Sequence, residues 1–476
     1  MTDSAQENLE TVAQLWNAVG LPPDALTHLT LTGSTPVLPS SFAVSRAAQA
    51  SIALAGLAAA RFGYLRTGRQ QRVTVDLRHA AIECRSDHYF TIDGLSPTIN
   101  DPLTGLYRCA EGWVRIHANF PHHRAGAIGL LGCEATRSGI AAALQGWDAL
   151  AVEDRAAALG LPVVALRTAD EWDASGQGIA LAGKRSVALS RIGDAPAVPV
   201  RRSPDHPGAD DDRGTLPLFG VRVLELTRIL AGPVCGRTLA AYGADVMLVN
   251  APHLPNIDAI ADTSRGKLSV HIDLRTGAGK AQLHALLESA DVFIQAYRPQ
   301  GIAGFGFSPE VLAARYPGLV YASLSAYGPD GPWQLRRGFD SLVQTAAGFN
   351  HDEAVAAGTA EPRPLPTQIL DHASGHLLAF GIQAALIRRS LEGGSWHVQV
   401  SLAQTGRWLR EMGRIPDGFS VPVPGRSEVQ DLIEKTASGF GVLAAVRHAA
   451  RFSGLRAGWS RPSVPVGTHP PSWPSV

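Results

Sequence analysis

Residues 221–226 read VRVLEL, and residues 231–233, five positions further on, read AGP. The alternating apolar residues of the first run predict a short β-strand. Pro233 suits the first turn of a helix, because its fixed φ is helical and an N–H is not needed there. Gly243 favours the end of that helix, and residues 245–249 (DVMLV) predict the next strand. This strand–helix–strand unit determines the predicted fold class.

The same alternation continues along the chain. It predicts helices over residues 279–290 and 309–316 and strands over residues 292–295 and 319–323. Strands that alternate with helices indicate an α/β fold with a Rossmann-like parallel sheet, whose ligands bind beyond the carboxyl ends of the strands. No G-x-G-x-x-G follows the first strand, which argues against a dinucleotide site.

Composition limits the kinds of partner that we expect. Lys+Arg (42) balances Asp+Glu (42) over the 476 residues, so no overall field attracts nucleic acid or an anionic membrane. The first ten residues are acidic and polar, unlike a signal peptide, and no apolar run reaches the ~18 residues of a membrane span. The four cysteines are scattered, which is typical of reduced thiols. We therefore expect a cytoplasmic protein.

Proline, glycine and aspartate mark the boundaries between segments. Residues 203–217 read SPDHPGADDDRGTLP, a composition that disfavours a packed core and predicts a linker. A second break lies at residues 416–424, and the tail from residue 461 is rich in proline. The predicted divisions are residues 1–202, the linker 203–217, residues 218–415 and a Pro-rich C-terminal segment 416–476.

A partial internal duplication is predicted from two stretches with one constant spacing. A helix rich in small residues, a turn and an alternating strand occur twice, with Val73 and Val398 at equivalent places 325 positions apart. The same spacing pairs Arg46 with Asp371. Chance similarity between two Ala-rich helices is the alternative. Since only one copy has the carboxylate, the repeat suggests one chemical site in a duplicated framework.

Between residues 218 and 408 several short motifs follow one another in a fixed order. They are GVRVLELTR (220–228), AGP (231–233), GADV (243–246), SRGKLS (264–269), SAYG (325–328), RGFD (337–340) and the Asp371-x-x-x-Gly375 element. In this order they resemble the class III CoA-transferases of the CaiB/BaiF type. Each motif alone is weak, but the ordered set is specific.

Residues 43–201 resemble the latter half of the same family, and residues 161–172 resemble its smaller α+β domain. The chain therefore looks like two incomplete copies fused, with the latter-half copy first. In this family two chains are typically interlocked, so the resemblance allows an interlocked homodimer. A fusion can also supply within one chain part of what a partner supplies elsewhere.

The resemblance implies CoA transfer between an acyl-CoA and a carboxylic acid, with Asp371 as the nucleophile. CoA would then be a substrate and acyl carrier, and no permanently bound cofactor is implied. A carboxylate can attack a thioester and form a mixed anhydride that later gives an aspartyl-CoA thioester. The alternative for Asp371 is a helix cap, where aspartate is common.

CoA carries several phosphate charges, which require Arg or Lys. The residues that match the family pattern for CoA binding, or lie at the end of the first strand, are Arg228, Arg265, Lys267, Arg275 and Arg337, and Tyr297 is a candidate for packing on the adenine. The alternatives are solvated surface charge for the cations and core packing for the tyrosine.

Departures from the family pattern leave two other functions open. Residues 250–252 (NAP) and 295–297 (QAY) replace usual contacts, and Gly304 stands where a basic residue is common. A non-catalytic CoA-binding or scaffold paralogue is therefore one alternative. A racemase or isomerase is another, but it would need a histidine where Phe339 stands, and a phenyl ring cannot transfer protons.

A histidine-rich stretch raises the question of a metal. Residues 117–123 read HANFPHH, with no nearby Cys or carboxylate that completes a ligand set. We therefore predict no metal site and interpret these histidines as packing or as a pocket wall.

Overall fold

The structure, a computed structural model, describes residues 3–34, 36–200 and 215–474. Most of the predicted linker, residues 203–214, lies outside the described residues.

The N-terminal part of the chain alternates helices with short strands. Its elements are α1 (Asp3–Ala18), β1 (Leu29–Thr32), α2 (Val44–Thr67), β2 (Val73–Asp76), α3 (Leu77–Glu83), β3 (Thr91–Ile92), β4 (Gly105–Arg108), β5 (Trp113–Ile116), α4 (Pro121–Leu131), α5 (Arg137–Leu144), α6 (Ala149–Ala158), β6 (Val163–Ala165), α7 (Ala169–Ala174), α8 (Gly176–Leu181) and β7 (Ala188–Gly193).

The rest of the chain forms the main sheet, its covering helices and a terminal group of strands. These elements are β8 (Arg222–Leu226), α9 (Ala231–Ala241), β9 (Asp245–Asn250), α10 (Ile260–Thr263), β10 (Lys267–His271), α11 (Gly277–Leu287), β11 (Val292–Gln295), α12 (Pro309–Arg315), β12 (Val320–Ser325), α13 (Asp340–Ala346), α14 (Phe349–Ala357), α15 (Ile369–Glu392), β13 (Ser395–Ser401), α16 (Leu402–Glu411), β14 (Ile433–Ser438), β15 (Gly441–Val446) and β16 (Ala450–Phe452).

The main sheet has seven strands in the order β10-β9-β8-β11-β12-β13-β7. The first six are parallel to one another, and β7 closes one edge antiparallel to β13. The order reverses at β8, because β9 lies on one side of it and β11 on the other. Loops at the carboxyl ends of these strands separate at such a reversal and leave room for a ligand.

The predicted α/β class is confirmed, and the sequence located most elements of the main sheet to within a few residues. Gly243 ends the first crossover with φ +100°, a conformation that residues with a side chain rarely adopt. Strand β10 was not predicted, since it begins at the charged residue Lys267.

The smaller α+β part is built on the antiparallel strands β4, β5 and β6. Helices α4, α5 and α6 cover this sheet, and apolar residues between Leu103 and Ala165 form its own core. It belongs to the N-terminal part of the chain.

The two stretches of the predicted repeat have the same form. Helices α2 and α15 each have 24 residues and begin 325 positions apart, at Val44 and Ile369. They pack against each other, and the Gln383 side chain donates a hydrogen bond to the Ala55 carbonyl at 3.1 Å. The duplication and the domain boundaries stay predictions. Among the described helices, none combines the length and apolarity that crossing a bilayer requires.

Candidate functional site

A cavity of about 420 Å³ opens at the carboxyl ends of β8, β9, β11 and β12. Its walls come from the loops that follow these strands, from the start of α9, and from Asp371 in the first turn of α15. The start of α9 turns backbone N–H groups and the positive end of its dipole toward this region, which favours anions. The cavity is thus where the topology of the sheet places a ligand.

Asp371 is held at this cavity by packing between α15 and α9. Gly375 lies one turn after Asp371, and a Cβ there would come within 2.6 Å of the Ala231 carbonyl oxygen and 2.8 Å of the Val234 side chain. Only a residue without a side chain permits this approach. The capping position of α15 is Gln368, which makes no side-chain cap, so Asp371 does not cap its helix.

The carboxyl of Asp371 is buried, with the residue 8% exposed, and it faces other acids. Its backbone N–H donates to Asp340 Oδ2 at 3.0 Å. Burial raises the pKa of Asp371 well above its usual value, and the negative charges of Asp340 and Asp87 raise it further. Among the described residues, none donates a hydrogen bond to the Asp371 carboxylate. Burial among acids therefore disfavours the charged form of Asp371 relative to a carboxyl group in water.

Asp340, unlike the Asp371 carboxylate, accepts hydrogen bonds from its neighbours. Burial raises the pKa of Asp340 to about 7, and the hydrogen bonds that it accepts from the Asp371 backbone and the Gln344 side chain oppose that rise. Asp340 opens α13 and is fully buried. It therefore fixes the Asp371 backbone and at the same time disfavours a second negative charge.

Five arginines line the cavity, and two of them already have carboxylate partners. Arg275 pairs with Asp273 at 2.7 Å, and Arg336 pairs with Glu153 at 2.9 Å. The other three, Arg228, Arg298 and Arg337, form no ion pair with any described residue. We call these three the arginine group.

The arginine group is crowded enough for its members to repel one another. Burial lowers the pKa of Arg337, and the positive charges of Arg298 and Arg228 lower it further. The buried Nε atoms of Arg228 and Arg337 have no hydrogen-bond partner. Cations held together without carboxylate partners form a site for an anion with several oxygens, such as a phosphate.

Tyr297 also lines the cavity, after the end of β11. It lies near Arg228, whose charge partly offsets the rise that burial causes in the pKa of Tyr297. Of the six residues that the sequence suggests for CoA binding, the structure thus brings four to the cavity of Asp371, namely Arg228, Arg275, Tyr297 and Arg337.

The remaining two, Arg265 and Lys267, lie away from the cavity in buried ion pairs. Arg265 contacts Asp262 at 2.5 Å, and its guanidinium lies 3.8 Å from the Trp459 ring centroid. The Lys267 ammonium contacts Glu225 at 2.7 Å, and both side chains are fully buried. The family pattern suggested these two residues for CoA binding. A sequence alone does not distinguish a cation that neutralises a buried acid from a cation that binds a ligand.

The N-terminal part of the chain supplies a wall of the cavity that the site prediction did not include. Phe120, His122 and His123 line it, and Arg228 lies 5.0 Å from the Phe120 ring centroid. His117 stacks on Phe339 with centroids 3.8 Å apart. The run HANFPHH was the only sequence signal for this wall. No group of three or more potential metal ligands occurs within the described ranges.

Comparisons with known proteins find CoA-transferases among the relatives of this chain. Residues 218–437 match the family model described as CoA-transferase family III. The chain is 38% identical over 200 residues to a probable fatty acyl-CoA transferase, Rv3272, of Mycobacterium tuberculosis, covering 39% of this chain and 50% of that protein. It is 34% identical over 205 residues to a succinate–glutarate CoA-transferase of Agrobacterium fabrum, covering 39% of this chain and 51% of that protein.

A solved structure described as a CAIB/BAIF family protein from Brucella suis matches with 28% identity and a TM-score of 0.36, covering 48% of this chain and 65% of that one. The matched regions amount to about half the length of the curated relatives.

Proposed function

We propose that the chain, whose residues 218–437 match the model of CoA-transferase family III, moves CoA between an acyl-CoA thioester and a free carboxylic acid. The observation that carries this proposal is the meeting of Asp371 with the arginine group in one cavity. A carboxylate can act as the nucleophile toward the thioester, and the three arginines suit the phosphates of CoA. The relatives named as CoA-transferases support the same reaction.

The reaction that we propose is of the CaiB/BaiF type and needs no group besides its two substrates. An Asp371 oxygen attacks the thioester carbonyl, the C–S bond breaks, and CoA leaves as the thiolate while a mixed anhydride remains. The thiolate then attacks the Asp371 carbonyl carbon and releases the first acid. The second acid enters, and the same two steps run in reverse to give the new acyl-CoA and free Asp371.

Binding of CoA would also activate the nucleophile. Burial among acids disfavours the carboxylate form of Asp371, and the protonated form does not attack a thioester. Proton loss is therefore a requirement of the first step. A polar substrate that supplies hydrogen-bond donors in the cavity would favour the carboxylate and promote this loss.

The N-terminal part of the chain forms part of the proposed active site. Phe120, His122 and His123 close the cavity within one chain, so this wall does not depend on a second copy. An interlocked homodimer stays a proposal that light scattering can test. The cytoplasm is the proposed compartment, supported by four free thiols of which three are buried.

Trapping of the aspartyl intermediate tests the proposed function. The protein is incubated with a panel of acyl-CoA thioesters, treated with hydroxylamine and digested. The mass of the peptide that contains residue 371 is then measured by mass spectrometry. We expect a hydroxamate at Asp371 in the wild type and none in Asp371→Asn. The exposed Asp170→Asn serves as the matched control, with adduct and turnover unchanged. If the wild type gives no adduct and Asp371→Asn still turns over, the proposal is wrong.

A non-catalytic CoA-binding protein is the second candidate. The observation that favours it is the burial of Asp371 among acids, which makes the nucleophilic carboxylate less favourable. Calorimetric titration with CoA separates the two. Binding without turnover of any acyl-CoA would support the second candidate, and turnover would exclude it.

A further inference from the structure

A short segment of the N-terminal part, residues 84–87, runs beside the chain that leads into α15. It follows α3, and residues 86–88 form a single 3-10 turn. Residues 366–372, which include the first turn of α15, lie against it. We call residues 84–87 the supporting segment.

Three side-chain contacts join the supporting segment to the start of α15. The Arg85 guanidinium donates to the Pro366 carbonyl, and the Thr367 hydroxyl donates to the Cys84 carbonyl. The third contact is the hydrogen bond between His372 Nε2 and Asp87 Oδ1, at 3.3 Å, between residues 285 positions apart. These contacts fix the segment immediately before and after Asp371.

Both residues of the Asp87–His372 pair are buried. Asp87 is 6% exposed and His372 is fully buried. Burial acts to raise the pKa of Asp87, but the hydrogen bond with His372 and the nearby His88 and Arg85 hold it below its usual value. Asp87 is therefore an anion, and His372 Nε2 is the donor of this hydrogen bond.

The supporting segment is itself fixed on its other side. The Ser86 hydroxyl donates to Asp262 Oδ2 at 2.8 Å, and Asp262 holds the buried Arg237 and Arg265. Arg265, which the sequence suggested for CoA, thus helps to stabilise this support. A rigid partner limits the positions that His372, and with it the Asp371 backbone, can adopt.

We propose that Asp87 is a positioning residue for the nucleophile, acting through His372, so that the N-terminal part of the chain sets the geometry and charge of Asp371. The inference rests on the proposed function of Asp371 as the nucleophile. Misplacement of a reacting group by about 1 Å can cost ~100-fold in rate, so a buried contact to the adjacent residue has direct consequences for the reaction.

Asp87 also acts on Asp371 through its charge, which adds to the effects of burial and Asp340 on the pKa of Asp371. Other charged or titratable groups face this cluster from the elements packed against it. They are Asp340 on α13, Arg85 on the supporting segment, His88 directly after it, His372 on α15 and Arg115 on β5, whose charge acts on Asp340.

Two substitutions separate position from charge. Asp87→Asn keeps an oxygen that accepts from His372 and removes the negative charge, whereas Asp87→Ala removes both. The matched control is Asp431→Asn, at an exposed ion pair with Arg78 that likewise joins distant parts of the chain. All three variants are made in the full chain, and thermal melting verifies that each is folded.

The first measurement is the single-turnover rate of adduct formation at Asp371, beside the affinity for acyl-CoA from calorimetry. For Asp87→Ala we expect a loss of roughly 10- to 100-fold in this rate with affinity within about twofold. For Asp87→Asn we expect a smaller loss of this rate at high pH. The fall of the rate toward acidic pH should begin at a lower pH than in the wild type. Asp431→Asn should match the wild type.

The second measurement does not depend on turnover. The rate at which a water-soluble carbodiimide modifies Asp371 is followed against pH by mass spectrometry, and Asp87→Asn should move this titration to lower pH. A folded Asp87→Ala with the wild-type adduct rate, or an Asp87→Asn with an unmoved titration, would overturn the proposal. A wild type that titrates as expected but transfers no CoA would instead overturn the proposed function.

Discussion

The backbone N–H of Asp371 donates to the Asp340 carboxylate at 3.0 Å, so the proposed nucleophile is held by a second buried acid. This hydrogen bond orients the first turn of α15, while the charge of Asp340 raises the pKa of Asp371. One residue thus supplies both a favourable geometry and an unfavourable charge. The two contributions can be separated by substitution.

Removal of the charge at Asp340 should extend activity to more acidic pH. Since the pKa of Asp371 is raised, its carboxylate fraction, and with it kcat/KM, should rise with pH through that pKa. Asp340→Asn keeps an accepting oxygen and removes the charge, so the rise should occur at lower pH than in the wild type. The profile of kcat/KM against pH checks this, and a rise moved to higher pH would contradict it.

Loss of the Asp340 side chain should affect position instead. Asp340→Ala leaves the Asp371 N–H without its acceptor, and we expect kcat to fall by about 10- to 100-fold. Comparison of kcat for the Ala and Asn variants at a pH above both acid limbs is the measurement. Equal values would mean that the hydrogen bond does not position the nucleophile.

The arginine group should determine affinity for CoA. Arg337→Ala and Arg228→Ala each remove a cation without a carboxylate partner, and we expect the Kd for CoA to rise by about tenfold or more. The salt dependence of binding should also become weaker, because fewer charges are involved. The exposed Arg407→Ala, which loses only its ion pair with Glu411, is the control. Calorimetry at two salt concentrations tests this, and unchanged Kd values would exclude these arginines from the CoA site.

Lys267 should affect stability and leave the affinity for CoA unchanged. Lys267→Ala leaves Glu225 buried without its cation, which is expected to cost about 3–5 kcal/mol of unfolding free energy. Removal of both partners in Lys267→Ala/Glu225→Ala should cost less than the sum of the two single substitutions. Urea unfolding of the four proteins measures this coupling. A stable Lys267→Ala variant with weakened CoA binding would contradict this structural role and indicate that Lys267 binds CoA.

Gly375 should be intolerant of any side chain. In Gly375→Ala the new Cβ would lie 2.6 Å from the Ala231 carbonyl oxygen, so α15 has to move away from α9. We expect a loss of about 1–3 kcal/mol in stability and reduced adduct formation at Asp371. Gly129→Ala in α4, where nothing lies within 4 Å of the new Cβ, is the matched control and should be neutral or slightly stabilising. Equal melting temperatures for the two variants would contradict this account.

The sequence predicted the main sheet well because its signals are local. Strand β11 occurs at the predicted residues, and the first crossover helix begins and ends beside its Pro and Gly signals. Strand β10 was missed because its first residue, Lys267, is charged, and its burial depends on Glu225 in a strand 42 residues away. A pattern within one segment carries no information about such a partner.

Only part of the candidate site was predicted, because local patterns again gave no information about distant partners. Asp371 and four of the six suggested binding residues line one cavity, because the family pattern and the strand ends place them together. Arg265 and Lys267 are the exceptions, and the wall from Phe120 to His123 was only one of two interpretations of the histidine-rich stretch, without a place among the site residues. Whether a cation faces a ligand or a buried acid depends on the packing of distant elements.

The sequence by itself determined the α/β class, the positions of most strands of the main sheet and the identity of the one acid, Asp371, that replaces Arg46 in the second stretch, since these follow from local periodicity and spacing. The tertiary structure decided what surrounds that acid. Asp340 and Asp87 come to it from α13 and from the N-terminal part of the chain, and burial in their company changes its pKa. The reason is that electrostatic effects depend on distance in space and on the exclusion of water, and both are set only when the chain has folded.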